Sequence, residues 1–305
     1  MISPTRRDFI FTAATAAFAE AQQSPKTRLI LLGTAGGPRP RTSRAAPSQV
    51  ILINNAAWVI DCGNGVTGQL VRAGIQPSAL RHIFITHHHS DHNADYGTLL
   101  LLAWASGLKS RVDTWGPPPL DRITSLFFQM SAYDIDIRIA DEGRMPLLPL
   151  VHPHERSEAG VVLKENDVTV TCALVDHHPI APAFAYRFDT PDRSIVISGD
   201  TKRADALIRL AHNADVLVHE VMYPSAVDRL VAPLYNAAEL KKSILSHHTP
   251  VEEVGNIADA AGVKTLVLSH FVPAEDPAIT EQMWLDAARG KFKGRIIAGK
   301  DLMEI

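Results

Sequence analysis

The stretch ITHHHSDHNAD, residues 85–95, carries the pattern HxHxDH at the end of the apolar run IFIT, residues 83–86. Side chains alternate between the two faces of an extended chain, so His87 and His89 lie on the same side. This pair can serve one cation, and Asp91 with His92 can serve a neighbouring one. Imidazole and carboxylate groups at this density predict a site for two metal ions at the carboxyl end of a strand.

Three further metal-competent side chains each follow a strand-like run elsewhere in the chain. His177 follows TVTCALVD, Asp200 follows SIVISG, and His270 follows TLVLS. Two metal ions held about 3.5–4 Å apart need more donors than one motif supplies, so we expect these groups to complete the site. His178 is the alternative to His177, because only one of two adjacent residues in an extended segment can face the site.

The rest of the chain alternates strand-like with helix-like segments. Runs such as TRLILLG (27–33) alternate with stretches such as YGTLLLLAWASGL (96–108), which predicts a layered α/β domain. The 305 residues are 46% hydrophobic and 21% charged, with a net charge of −3 and no clustered basic excess, so we expect no nucleic-acid partner. Residues 111–158 are less regular and carry the prolines of WGPPPL and RMPLLPLVHPHE, and we expect loops and a helix that lean over one end of the core, where binding residues tend to sit.

Residues 1–27 have the features of an export signal. TRRDFI, Thr5 to Ile10, resembles the twin-arginine signal at every position, and the apolar run FIFTAATAAFA is too short to span a bilayer. Cleavage after Ala19 or after Ala21 is compatible with the small residues there. We therefore expect export by the twin-arginine machinery, a periplasmic location and no stable membrane anchor, with a disordered or amphipathic tail as the alternative.

The HxHxDH motif, the GDT triplet at Gly199–Thr201 and the LSH triplet ending at His270 resemble the metallo-β-lactamase superfamily in motif order across residues 28–305. The resemblance implies an α/β catalytic domain built as a four-layer αββα sandwich, holding two divalent metal ions. Zinc is the default, because imidazole and carboxylate ligands without thiolates suit it. The implied ligands are His87, His89 and His177 for the first metal and Asp91, His92 and His270 for the second, with Asp200 between them.

Three segments resemble the branch of this superfamily that contains ribonuclease Z, arylsulfatases and phosphodiesterases. They are the GDT triplet, VHEVMYP from Val218 and SHHTP from Ser246. The resemblance implies that a histidine of SHHTP donates a proton to the leaving group, with His248 preferred over His247. Glu220 would orient that ring, although it could instead only cap a strand. The catalytic residues implied are Asp91, His248 and Glu220.

The function implied by the resemblance is hydrolysis of a small-molecule ester by attack of a metal-bridging hydroxide. An aryl sulfate or a phosphodiester is the first expectation, since the chain has no basic arm comparable to that of ribonuclease Z. A lactonase or a ribonuclease Z-like phosphodiesterase is the alternative. An iron redox enzyme of the same fold and a non-catalytic metal-binding protein are further hypotheses, and a homodimer is compatible with the sequence.

Several other polar positions have more than one interpretation. Asp61 either supports the metal loop, as a similar aspartate does in the family, or is a turn residue before Gly63. Cys62 and Cys172 are either small buried residues or, after export, a disulfide. No role is assigned to five further histidines, His82, His88, His152, His154 and His212.

Overall fold

A computed structural model describes residues 27–305, so the predicted signal segment lies outside the described residues apart from Thr27. Strand-forming runs rich in Val, Ile and Leu build two seven-stranded sheets in the described part. The strands are β1 (Arg28–Gly33), β2 (Ser48–Ile53), β3 (Ala56–Ile60), β4 (Leu80–Phe84), β5 (Val112–Gly116), β6 (Val151–Glu155), β7 (Gly160–Glu165), β8 (Val168–Leu174), β9 (Phe184–Asp189), β10 (Ser194–Ile197), β11 (Val216–Met222), β12 (Thr265–Val272), β13 (Arg295–Ala298) and β14 (Met303–Glu304).

Helices connect many of these strands. They are α1 (Val66–Arg72), α2 (Ser90–Asn93), α3 (Tyr96–Ala105), α4 (Leu120–Glu142), α5 (Asp205–Leu210), α6 (Val227–Val231), α7 (Ala237–His247), α8 (Val251–Ala261) and α9 (Glu281–Ala288). Short 3-10 turns lie at Pro77–Ala79, Leu148–Leu150 and Pro224–Ala226. Among residues 27–305, no helix combines the length and the apolar character needed to cross a bilayer.

Both sheets mix parallel and antiparallel strands. The first has the order β14-β1-β2-β3-β4-β5-β6 and the second β13-β12-β11-β10-β9-β8-β7. Strands β3 to β6 are parallel in the first sheet, as are β10 to β13 in the second. Each sheet therefore contains a block of four parallel strands, and the carboxyl ends of such strands lie on the same edge.

The sheets pack face to face, and helices cover their outer faces. Leu31, Phe84, Tyr186 and Phe188 are fully buried between the two sheets. On the outside, apolar residues of α1, α3 and α4 join the core of the first sheet, while residues of α5, α8 and α9 join that of the second. Burial on both faces explains why β2, β11 and β12 read as nearly continuous apolar runs. The predicted four-layer αββα sandwich is confirmed.

Residues 111–158 differ from the sequence-based expectation. They form β5, the 23-residue helix α4 and β6, and α4 packs on the outer face of the first sheet through Leu120, Phe128 and Ile135. Since β5 and β6 extend the parallel block of that sheet, the segment is part of the sandwich rather than a cover over one end.

Candidate metal centre and catalytic site

The predicted ligand side chains meet at one edge of the sandwich, where parallel strands of both sheets end. His87 follows β4 and Asp200 follows β10, whereas His270 lies within β12 near its carboxyl end. The next turn after β4 supplies His89, and α2 supplies Asp91 and His92. The structure brings together all seven side chains named from the sequence, and six of them are buried.

Four of these side chains form a first group: His87, His89, His177 and Asp200. Their ligand atoms all lie within 4.8 Å of one another. The Nε2 atoms of His87 and His177 lie 3.8 and 3.7 Å from Asp200 Oδ2, and 3.0 and 3.1 Å from His89 Nδ1. His177 is buried whereas His178 is exposed, so the structure places His177 in the group and leaves His178 outside it.

A second group contains Asp91, His92, His270 and again Asp200. The Nε2 atoms of His92 and His270 lie 3.3 and 3.2 Å from Asp200 Oδ1, and 3.6 and 3.4 Å from Asp91 Oδ2. Asp200 therefore presents Oδ2 to the first group and Oδ1 to the second. A carboxylate in this position is suited to lie between two cations.

The chemistry of these donors fits a pair of divalent cations. Among residues 27–305, His92 Nε2 and Asp200 Oδ1 are buried without a hydrogen-bond partner, which is costly unless another group satisfies them. Burial lowers the pKa of His87, His89 and His177, which favours the neutral imidazole that binds metals. The two groups are thus able to hold divalent metal ions through nitrogen and oxygen, without a thiolate.

The two aspartates of the site are held in the ionised form. Burial by itself opposes ionisation of Asp91, but His92 and His270 lower its pKa to about 2. Burial likewise opposes ionisation of Asp200, yet His270, His92 and His87 hold its pKa well below the ordinary range. Both carboxylates therefore carry negative charge at neutral pH, as metal ligands must.

Hydrogen bonds behind the ligands fix the direction of the rings. His92 Nδ1 donates to Asp61 Oδ2 at 2.7 Å, and Asp61 also accepts from the backbone nitrogen and hydroxyl of Thr86 at 2.8 and 2.9 Å. His177 Nδ1 donates to the carbonyl of His247 at 3.0 Å. These contacts leave Nε2 of each ring facing the site, and Asp61 lies behind His92.

Two backbone features aim ligands at the centre. His270 is the extra residue of a β-bulge, since Ser269 and Phe271 pair with consecutive residues of β11, and its φ is 46°. Gly199, immediately before Asp200, has a φ of 59°, and a Cβ there would lie 2.7 Å from the carbonyl oxygen of Phe184. Only glycine fits the position that turns the chain into Asp200.

A histidine–carboxylate pair lies beside the metal groups. His248 Nδ1 donates to Glu220, with distances of 3.0 Å to Oε2 and 3.2 Å to Oε1. Glu220 Oε1 also accepts from the backbone nitrogen of Thr201 at 2.7 Å. Burial alone would lower the pKa of His248, but Glu220 and then Asp200 raise it to about 9. The pair with Glu220 therefore favours the protonated form of His248, whose Nδ1 lies 4.0 Å from Asp200 Oδ2.

The neighbouring histidines differ from His248. His247 ends α7 and contacts Ser243, and burial lowers its pKa. His219 is fully buried beside Glu220, with Nδ1 donating to the Glu220 carbonyl at 2.7 Å. Only His248 of the three pairs with a carboxylate among the described residues.

A cleft of about 250 Å³ opens over the two groups. Its base contains His89, Asp91, His177, Asp200, His248 and His270. One wall is the loop after β1, and an adjoining wall is formed by apolar residues of α6, α7 and β12. Residues 111–158 contribute nothing to its described lining, so the expectation that this segment covers the site is wrong. The cleft wall instead contains Arg39 and Arg41 of the segment GGPRPR, residues 36–41, to which the sequence patterns assigned no role.

The remaining polar residues named from the sequence lie outside the centre. Cys62 and Cys172 are buried free thiols, so the disulfide is not formed. His88 contacts the Pro117 carbonyl at 2.8 Å and His82 contacts Glu165 at 3.1 Å. The described metal-binding groups include neither of these histidines, nor His152, His154 or His212.

Comparisons with known proteins agree with this geometry. Residues 57–271 match the family model described as the beta-lactamase superfamily domain. A protein named ribonuclease Z from Mycobacterium bovis (strain BCG / Pasteur 1173P2) is 34% identical over 280 residues, covering 91% of this chain and 97% of that protein. The fold is similar to that of the short form of human tRNase Z, with a TM-score of 0.66, 20% identity and coverage of 91% and 98%. It is also similar to the metallo-beta-lactamase fold protein YhfI from Bacillus subtilis, with a TM-score of 0.65, 20% identity and coverage of 92% and 98%.

Proposed function

The chain belongs to the metallo-β-lactamase superfamily and is a metal-dependent hydrolase of that fold, and from this premise we propose that it hydrolyses phosphodiesters in the manner of ribonuclease Z. The observation that carries the proposal is the position of Asp200, which presents one oxygen to each of two buried ligand groups beside the hydrogen-bonded pair of His248 and Glu220. The relative named ribonuclease Z spans nearly the whole chain, which supports the same reaction class.

Some side chains of the site would hold the cations, and another would transfer a proton. Two divalent cations, when bound, supply a nucleophile near neutral pH and neutralise charge on the phosphate oxygens. His87, His89 and His177 would hold one cation and Asp91, His92 and His270 the other, with Asp200 shared. We propose zinc for both, since these ligands suit it.

His248 is the proposed general acid. Its Nδ1–H is held by Glu220, so the Nε2–H is available to protonate the leaving oxygen of the ester. Glu220 itself is held by the backbone nitrogen of Thr201 and is buried, which fixes the direction of its carboxylate. The negative charge of Glu220 keeps His248 in the protonated form that a general acid requires.

The aryl sulfate expected from the sequence receives no support from the relatives, whereas the phosphodiester alternative does. The test is an assay of residues 28–305, loaded with zinc, on bis(4-nitrophenyl) phosphate and on 4-nitrophenyl sulfate. We expect hydrolysis of the diester, loss of turnover in His89→Ala and retention in His178→Ala, which changes an exposed neighbour of the site. Sulfate hydrolysis without diester hydrolysis would overturn the proposal.

Export remains a separate proposal that rests on the TRRDFI segment alone. We propose that the twin-arginine machinery carries the chain to the periplasm. Fusion of residues 1–27 to a reporter that is active only outside the cytoplasm tests it. Export that persists when Arg6 and Arg7 are both changed to lysine would contradict the twin-arginine route.

A further inference from the structure

The loop after β1 brings two arginines to the wall of the catalytic cleft. Arg39 and Arg41 line the same cleft as His89, Asp200 and His248. Arg39 is fixed in place, because its Nη2 donates to the Leu230 carbonyl at 3.2 Å, near the end of α6. The loop wall therefore contacts the apolar wall at Leu230.

Arg41 has no counter-charge bound to it within the described part of the chain. Its Nε is buried without a hydrogen-bond partner among residues 27–305. Burial and then the charge of Arg39 lower the pKa of Arg41, whereas Glu275 acts in the opposite direction. Glu275 Oε1 accepts from the backbone nitrogen and hydroxyl of Ser43 at 2.7 and 2.6 Å and from the backbone nitrogen of Thr42 at 3.0 Å, and the described residues show no ion pair between Glu275 and Arg41.

The adjoining wall is apolar and the cleft is small. Leu230, Leu240, Ile244 and Val272 form this wall, and they belong to or pack against one apolar cluster. Such a surface suits an aromatic ring or a nucleobase. A volume of about 250 Å³ lies just below the roughly 300–1,000 Å³ of small-ligand pockets, so the cleft suits a single terminal unit of a substrate.

We propose that Arg41, with Arg39 beside it, binds a second anionic group of the substrate, so that the preferred substrate is a phosphodiester whose aromatic or nucleoside unit carries an additional phosphate. This inference rests on the proposed phosphodiesterase function and deepens it. The planar guanidinium groups match phosphate oxygens in pairs of parallel hydrogen bonds, which gives both charge and direction.

The test compares two substrates that differ only in the additional phosphate. They are thymidine 5′-(4-nitrophenyl phosphate) and the same diester with a 3′-phosphate, and release of 4-nitrophenolate gives kcat/KM for each. For the unmodified protein we expect the 3′-phosphorylated substrate to be favoured roughly 10- to 100-fold, the range for a hydrogen-bonded charged group. Arg41→Gln is expected to bring the ratio towards 1, and Arg41→Lys to give an intermediate ratio because it keeps only the charge.

Arg122→Gln is the matched control, since Arg122 is exposed on α4 and does not line the cleft. It should leave the ratio unchanged, and thermal melting should show that Arg41→Gln remains folded. A ratio near 1 in the unmodified protein, or the same ratio in Arg41→Gln, would overturn the inference. If neither diester is hydrolysed, the proposed function fails. The role of Arg41 is then decided by calorimetry, which compares the affinities for thymidine 3′,5′-bisphosphate and thymidine 5′-monophosphate in the unmodified protein and in Arg41→Gln.

Discussion

Replacing Glu220 with Gln should lower the pKa of His248 and weaken the general acid. The substitution keeps an oxygen that can accept from the Thr201 backbone nitrogen, 2.7 Å away, but removes the charge that faces His248 Nδ1. Since Glu220 is the largest cause that raises the pKa of His248 to about 9, we expect the pKa to fall by one unit or more towards its ordinary value of 6.5.

The magnitude follows from the shift. A pKa of about 9 against the ordinary value of 6.5 corresponds, at about 1.4 kcal/mol per pKa unit, to a stabilisation of the metal-free fold of roughly 3 to 4 kcal/mol at most by the protonated form of His248. A pKa that is raised on folding gives stability that is fully present below pH 6.5 and is lost as the pH rises through about 9. The free energy of unfolding should therefore decrease across that window, and the decrease should be much smaller in Glu220→Gln.

Two measurements on chelator-treated protein check this prediction: an NMR titration of the His248 ring and urea unfolding at several pH values. Glu165→Gln is the matched control, because it removes the same charge from the pair with His82. That control should leave the His248 titration unchanged. A His248 pKa that stays near 9 in Glu220→Gln would refute the assignment of Glu220 as the partner that keeps His248 protonated.

Three further predictions concern the metal groups and the acid. His177→Ala should lose at least one equivalent of bound metal by elemental analysis, whereas His178→Ala should keep both; equal loss in the two would contradict the assignment. Asp61→Asn should weaken metal binding about 10- to 100-fold in a chelator competition, because it disturbs the hydrogen bond that orients His92, and unchanged affinity would refute this role. His248→Ala should reduce kcat about 10²- to 10⁴-fold for an alkyl leaving group but far less for 4-nitrophenolate, which needs no proton; equal losses for both would exclude a general acid.

The ligand groups were predictable because the signals are local. A polar residue directly after an apolar run marks the end of a buried strand. Three of the ligands lie at such a strand end or a few residues after it, namely His87, Asp200 and His177. The carboxyl ends of β4 and β10, which belong to the parallel blocks, meet at one edge, whereas His177 follows β8, an antiparallel strand, and its place in the ligand set was implied by the family resemblance.

The cleft walls were not predictable by the same reasoning. Arg39 and Arg41 lie in an irregular loop whose path depends on the contact with Leu230 in α6, nearly two hundred residues away in the chain. His270 was identified as a ligand, but the bulge that aims it arises from its pairing with β11, which no periodicity reveals. The segment 111–158 was misplaced because its prolines indicated loops, whereas pairing with β4 makes β5 and β6 part of the first sheet.

The position of the centre between the sheets has a mechanical consequence. In the first ligand group, His87 and His89 come from the side of the first sheet, and His177 and Asp200 come from the side of the second. The second group likewise takes ligands from both sheets. Each bound cation would therefore crosslink the two halves of the chain. A chain cut between β6 and β7 would give two fragments, each with an incomplete set of donors, so the complete set would form only where the fragments reassemble. Bound cations would stabilise the packing of the two sheets against each other.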